Sequence, residues 1–400
     1  MDTNQLRLPI EDTRATMSDE EVAQLRNDLL VSLDLHVAAD ASPDPKEQVR
    51  MRHGRHRADV WRREFATIGP LLPSLLDDFA SGIDVVPAMI EPAVEPVVAG
   101  TRGADLFRLA TLLWSVPVSR GYGRRMRFLV RDRFNGKIIG VFALGDPVFN
   151  LGARDRWLGW AADDRRERLV NVMDAFVVGA VPPYTYLLGG KLVFSLIGSA
   201  EVGEAFARRY EASTGIISGQ AKAPRLVVVT VTSSLGRSSL YNRVRLRDEA
   251  DPSRYLVDLI PIGWTSGYGQ FQVSDALFIR LRKLLESRGH SYANGHQYGT
   301  GPNWRMRVTR VALEELGLST DLQRHGIARQ VYALPLADNF REFLARRDSE
   351  PVLGRPPLAR LASAALERWV LPRASRDQRY REFTVAQLEK LVRDPGQSAP

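Results

Sequence analysis

Between Arg154 and Gly269 the chain is dense in residues that a bare scaffold does not need. Arg154-Asp155-Arg156-Trp157-Leu158-Gly159-Trp160 comes first, then Leu188-Gly189-Gly190-Lys191. Ser233-Ser234-Leu235-Gly236-Arg237-Ser238-Ser239-Leu240-Tyr241-Asn242-Arg243 and Gly263-Trp264-Thr265-Ser266-Gly267-Tyr268-Gly269 follow. Each cluster mixes glycine with hydroxyl, arginine or aromatic side chains beside an apolar run. That composition exposes backbone N–H groups and polar side chains to a ligand.

The chemistry open to these residues can be stated one cluster at a time. Gly189 and Gly190 offer two flexible N–H groups and Lys191 a cation, which together suit an anion. The segment is no Walker A loop, because the upstream glycine and the hydroxyl after the lysine are missing. Paired glycines at a helix start also permit close helix–sheet packing. Ser238 and Ser239 suit a helix cap, and Arg237 suits bidentate phosphate pairing. Arg154 is a second cation suited to an anionic group. Asp155, between two arginines, fits either a structural ion pair or the same site. Asp146, Asp155 and Asp174 are the acids expected near the sheet, able to converge on Mg²⁺ or to supply a general base. Trp157, Trp160 and Trp264 suit base stacking or a core. A glycine-rich loop, Tyr298-Gly299-Thr300-Gly301-Pro302, delivers Asn303, Trp304, Arg305 and Arg307, types suited to purine edges, stacking and phosphate. His325 precedes Gly326 and is the histidine best placed for acid–base work. His53 and His56 lack further ligands nearby, so no zinc arrangement is read. No cofactor or resident metal can be named from these residues.

Composition bounds the class. The 400 residues suffice for two domains or one large core with appendages, and 44% hydrophobic with 26% charged residues is ordinary for a globular chain. Zero cysteines exclude disulfides, thiolate zinc sites and a cysteine nucleophile. No apolar run reaches the roughly 18–20 residues of a membrane span, and the polar start is no secretory signal, so a cytoplasmic location without a membrane partner is expected. The net charge of +8, carried mostly by arginine, favours an anionic partner, with nucleic acid before membrane. Arg50, Arg52, Arg55, Arg57, Arg62 and Arg63 form one basic cluster, and Arg373, Arg376, Arg379 and Arg381 another. Either cluster also reads as a solvated helix face.

The elements that must position these residues follow from periodicity. Residues 19–82 read as helical, opened by a Ser18/Glu21 capping box ahead of Val22, Leu25, Leu29 and Leu33 and broken at Gly69-Pro70. A proline-broken stretch precedes a short helix near 104–114. Asn135-Gly136 between two apolar runs predicts a hairpin. A strand over 175–181, a helix over 187–210, a β-branched strand over 225–231, a short helix near 238–244 and a strand over 255–262 complete a central unit. Helices near 275–287 and 307–316, a strand over 329–334 and a helical tail over 359–392, interrupted at Pro372, follow.

The Arg154–Trp160 segment, the helix after Pro183, the 225–230 strand and the segment from Ile262 to Gly269 together resemble the Druantia DruA family over about residues 121–336. The resemblance implies a role in anti-phage defence, with a helicase or other defence proteins as partners. It carries no catalytic residue set across. The order of elements is also similar, more remotely, to the GNAT acyltransferase fold. That likeness implies a cofactor pyrophosphate held where Val181-Pro182-Pro183 leads to Gly189-Gly190-Lys191, and a tyrosine acid at Tyr241. The usual Gln/Arg-x-x-Gly-x-Gly/Ala pattern is absent, so the donor is left open. The expectation is an α/β fold with a central mixed GNAT-like sheet, in three parts. These are a helical module over 1–118, an α/β core over 119–345 and a helical tail over 346–400. Tyr241 and Asp174 are the acid–base candidates. Arg154, Asp155, Gly189, Gly190, Lys191, Arg237, Ser238, Ser239, Asn303, Trp304 and Arg305 are the anion or substrate contacts. The expected function is defence through an enzyme-like action on nucleic acid or a nucleotide-derived substrate. A non-catalytic nucleic-acid-binding subunit that recruits a helicase or nuclease, and a small-molecule acyltransferase, are the alternatives.

Overall fold

Local chemistry starts the elements where the sequence marks them. The Ser18 backbone N–H donates to Glu21 Oε2 at 2.9 Å, and the Glu21 N–H donates to Ser18 Oγ at 3.2 Å. These two bonds satisfy donors at the head of helix Asp19–Ala39 that would otherwise lack partners. The computed structural model describes residues 16–39, 44–118, 121, 123–214, 221–267, 273–295, 302–324 and 326–394. The chain divides into two units, one of residues 1–40 with 268–325 and the other of 41–267 with 326–400.

The smaller unit is helical. Ser274 Oγ accepts from the Leu277 N–H at 3.1 Å and starts helix Asp275–Ser287, while Pro302 begins helix Pro302–Glu315. Leu277, Leu281, Leu284 and Leu285 recur at helical spacing and pack with Leu25, Leu29, Val308 and Leu313 into one core. Ion pairs of Arg280 with Asp28 and of Lys283 with Glu21 at 3.5 Å edge that core. Helix Asp19–Ala39 therefore packs with helices from residues 268–325, whereas one module over 1–118 was expected. Its amphipathic pattern marks a face to bury but not the face that buries it.

The larger unit is built on a seven-stranded mixed sheet flanked by helices. Its strands are β1 (Pro92–Pro96), β2 (Arg125–Asp132), β3 (Ile138–Gly145), β4 (Val172–Ala180), β5 (Val228–Thr232), β6 (Ile260–Trp264) and β7 (Gln330–Pro335). The spatial order is β1-β2-β3-β4-β5-β7-β6. Every neighbouring pair is antiparallel except β4 and β5, which are parallel. The expected Asn135-Gly136 hairpin joins β2 to β3, with Gly136 at φ 74. The proline-broken stretch supplies β1, so residues before 118 also enter the sheet. The expected strand over 255–262 is two pieces. Tyr255–Asp258 pairs with Arg245–Arg247 in a separate ribbon, and β6 follows it. No helix forms at 238–244; the segment is a run of turns.

The β4–β5 ladder is short, and this positions the candidate site. Val172 pairs with Val228, Met173 with Val229 and Asp174 with Thr230, and there the pairing ends. β4 continues to Ala180 along β3 alone. The two parallel strands thus part directly after Asp174.

The other end of the hairpin is closed by a buried network. Asp132 is fully buried, and its Oδ1 accepts from the Glu91 and Phe134 N–H groups at 3.0 and 3.1 Å. Its Oδ2 accepts from the Tyr184 hydroxyl at 3.0 Å, which in turn accepts from Asn135 Nδ2 at 2.9 Å. Burial and the Asp132 charge push the Tyr184 pKa up, so the phenol stays a donor. Tyr184→Phe removes both bonds of the hydroxyl and leaves a buried carboxylate oxygen short of a partner. A loss of about 1–2 kcal/mol is expected. It should be read as a lower denaturation midpoint with an unchanged slope.

Candidate functional site

Asp174 is the last residue of the parallel ladder. Its carboxylate Oδ1 accepts from Thr230 Oγ1 at 2.8 Å. Burial pushes its pKa up to about 6, opposed by the Thr230 hydrogen bond and the charge of Arg154. Met173 and Ala175 face the main core, so alternation directs Asp174 and Thr230 to the opposite side of the sheet.

Tyr241 lies on the turns that follow β5. Its ring sits 5.5 Å from that of Tyr332 on β7 and edge-on to Phe194 at 5.8 Å. Burial pushes its pKa up, and the Asp174 charge adds to that rise, so the two groups are within electrostatic reach. Among the described residues no hydrogen bond joins them. Tyr241 packs against the main core, whereas Asp174 lies on the far side of the ladder, which ends directly after it. The Asp174 charge thus reaches Tyr241, which rides on a turn where a helix was expected. Thr230, bonded to Asp174, and Tyr332, packed on Tyr241 with its hydroxyl donating to Gln330 Oε1 at 2.6 Å, were not singled out by sequence. Their only signal was a place in β-branched or aromatic strands.

Lys191 secures the turn that carries Tyr241. Its Nζ donates to the Leu240 carbonyl at 3.3 Å and to the Asn242 carbonyl, and sits 5.7 Å from the centre of the Trp369 ring. Burial lowers its pKa to about 8, with the charges of Arg368 and Arg243 acting in the same direction. Gly189 and Gly190 serve close packing. A Cβ at Gly189 would stand 2.6 Å from the Tyr184 carbonyl, and one at Gly190 would stand 2.9 Å from Leu240. Arg237 is exposed, and its charge reaches Tyr332. Ser238 Oγ accepts from the Leu240 N–H at 3.2 Å, and Ser239 is exposed, so both shape a turn where helix capping was expected.

Several expected contacts are corrected by burial. Arg154 is fully buried. Its Nε and Nη2 donate to Asp155 Oδ1 at 2.9 and 2.6 Å, Nη1 to the Val148 carbonyl at 2.9 Å, and Nη2 to the Phe149 carbonyl at 2.8 Å. Asp155 also meets Arg165 at 3.3 Å. The pair is an internal brace and holds no exposed anion site. Asp146 accepts from the backbone and side chain of Arg124, both at 2.8 Å. The three expected acids thus take separate partners and do not converge. Among the described residues no group of three or more metal-type side chains could hold an ion.

Trp160 is buried and donates to the Leu344 carbonyl at 2.9 Å, Trp157 stacks on Phe340 at 5.2 Å, and only Trp264 is markedly exposed among the three. In the helical unit Trp304 is buried and donates to the Tyr292 carbonyl at 2.8 Å. Arg305 pairs with Asp275 at 2.6 Å and the Val273 carbonyl at 2.7 Å. Both are scaffold there, not substrate contacts. The side chain of Asn303, residues 268–269 and 298–301, and His325 lie outside the described residues. The two basic clusters are largely engaged internally: Arg50 pairs with Glu47, Arg62 with Asp59, and Arg373 and Arg379 with Asp377. No helix among the described residues is long and apolar enough to cross a membrane.

Comparison with known proteins bears on this arrangement. The model of the family described as Druantia protein DruA matches residues 44–346. A Druantia protein DruA from Escherichia coli (strain UMEA 4076-1) is 44% identical over 358 residues, 89% of this chain and 86% of that protein. No solved structure matches. A family match over most of the chain, with identity at this level across nearly the whole length of both proteins, places the chain in the DruA family of Druantia anti-phage defence proteins.

Proposed function

We propose that this chain acts in defence as a catalyst on nucleic acid or a nucleotide-derived substrate, with Asp174 as general base and Tyr241 as general acid. One observation carries the reading: a carboxylate with a pKa of about 6 stands where two parallel strands part, within electrostatic reach of a phenol held protonated. Groups whose environments push their pKa values apart divide the two proton-transfer roles between them. Ionised near neutrality, Asp174 accepts a proton from the attacking group, while Tyr241 supplies one to the group that leaves. The single parallel pair inside an otherwise antiparallel sheet, with a tyrosine on the segment after it, also supports the GNAT-like reading of the site.

The test is protection of a phage-challenged host by Asp174→Asn and Tyr241→Phe variants, with nucleic-acid binding measured on the same purified proteins. Lost protection with retained binding supports catalysis. Full protection by folded variants overturns the assignment. The rival reading, a non-catalytic nucleic-acid-binding subunit that recruits a helicase or nuclease, is favoured by the net charge of +8. It requires both variants to protect normally.

A further inference from the structure

Beside the acid–base pair lies a group of cations that the reaction scheme leaves without a task. Lys191 Nζ is fixed against the Asn242 carbonyl and over Trp369. The next residue along each of those contacts is an arginine: Arg243 after Asn242, and Arg368 before Trp369. Both guanidiniums are exposed, and neither has a hydrogen-bond, ion-pair or ring partner among the described residues. Elsewhere in the larger unit, arginines are typically spent on a carboxylate or carbonyl, as with Arg124, Arg154, Arg245 and Arg254. Arg243 is also one of three non-glycine residues at positive φ among the described residues, here 55, a conformation that disfavours any residue with a Cβ. Strain of that kind persists where the surroundings hold the residue in place, and it gathers at functional sites.

The charges that act on Lys191 are those of Arg368 and Arg243, both repulsive. The chain nevertheless keeps the lysine partly buried, bonded to the loop that carries Tyr241. Three cations held together against their own repulsion, on segments far apart in sequence, imply an anion that relieves it.

We propose that Lys191, Arg243 and Arg368 form a phosphate-binding subsite beside the turn that carries Tyr241. Lysine gives a fixed point charge with a spare N–H, and the two guanidiniums give bidentate forks suited to phosphate oxygens. This rests on the proposed catalytic reading and names the chemistry the substrate presents: phosphate groups next to the reacting atom. The phosphates come either from a nucleotide or from the backbone of a single strand.

The experiment is equilibrium binding of ADP, inorganic pyrophosphate and a labelled single-stranded oligonucleotide to the full chain, at several salt concentrations. Arg243→Gln and Arg368→Gln are surface changes that should leave the thermal midpoint in place. Each is expected to weaken the bound phosphate ligand about tenfold, as for loss of a charge-assisted bond. Arg208→Gln, whose partner is Glu204 on its own helix, serves as a control and should have no effect. If ADP and pyrophosphate bind and depend on the two arginines, the source is a nucleotide. If only the oligonucleotide does, each variant should lower the slope of log affinity against log salt by about 0.7, and the source is the backbone. Binding of all three probes unchanged in both variants, or no binding by any, overturns the subsite. Asp174→Asn should bind like the parent, so a failed subsite and a failed catalytic reading are told apart.

Discussion

Asp174→Asn and Tyr241→Phe should each abolish protection, because proton transfer by a positioned side chain typically contributes 10²–10⁴-fold to a reaction. Both substitutions are nearly isosteric. Asparagine still accepts from Thr230 Oγ1, and phenylalanine keeps the ring contacts with Tyr332 and Phe194. Loss of function would then report chemistry rather than collapse. The Asp174 pKa, pushed up to about 6, adds a signature that a structural role would not give. A carboxyl whose folded-state pKa lies above its unfolded value near 4 binds its proton more tightly in the native protein. Its contribution favours folding below about pH 4. That contribution declines between pH 4 and 6, and above 6 the buried charge is a net penalty. Asp174→Asn should therefore be more stable than the parent above pH 6, by on the order of 2 kcal/mol, with the gap closing toward pH 4. Denaturation midpoints across that range measure it. Function should run the other way, rising with pH as the base ionises. A variant that is more stable and yet inactive is the pattern expected where a site keeps a strained charge for chemistry. Equal stability of the two proteins at pH 8 would remove the buried-base assignment.

How far the sequence reached can be judged from particular residues. Hydrophobic period and turn chemistry located the Asn135-Gly136 hairpin, the Ser18 cap and the strands at 228–232 and 330–335, because those signals are local. Asp174 and Tyr241 were legible as chemical types, and the structure adds that β4 and β5 part directly after Asp174. The sequence could not assign helix Asp19–Ala39 to its partners at 275–315, since an amphipathic stripe names no counterpart. It also gave Trp304 and Arg305 a ligand, when an aromatic and an arginine in a short helical unit are as readily spent on core and cap. Lys191 was singled out beside its glycines. Arg368 was not, because a residue of the C-terminal tail reaches the site only through tertiary packing on Trp369.

The Arg154-Asp155 motif illustrates how a functional-looking signature can be structural, and it supports a large stability effect. Arg154→Met is expected to lower the unfolding free energy by about 3–5 kcal/mol, the range for breaking a buried ion pair by deleting one partner. The deletion strands Asp155, which keeps only Arg165 at 3.3 Å, and removes donors from the Val148 and Phe149 carbonyls of the loop entering helix Gly152–Leu158. It also removes the ring partner of Trp160, 5.5 Å from the guanidinium carbon. Arg154→Lys should recover little, because one ammonium cannot span a carboxylate and two carbonyls in the planar fork that arginine supplies. Denaturant unfolding decides the point. If Arg154→Met unfolds at the parent's midpoint while phosphate-ligand binding collapses, the residue serves a ligand after all. If stability falls and the binding of the surviving folded protein holds, the residue is a structural brace. Loss of the Arg154 charge should at the same time raise the Asp174 pKa further, since that charge now holds it down. In the methionine variant the stability advantage of adding Asp174→Asn should therefore grow larger and level off at a higher pH than in the parent. A shift in that direction would tie the brace to the candidate base through electrostatics, separately from packing.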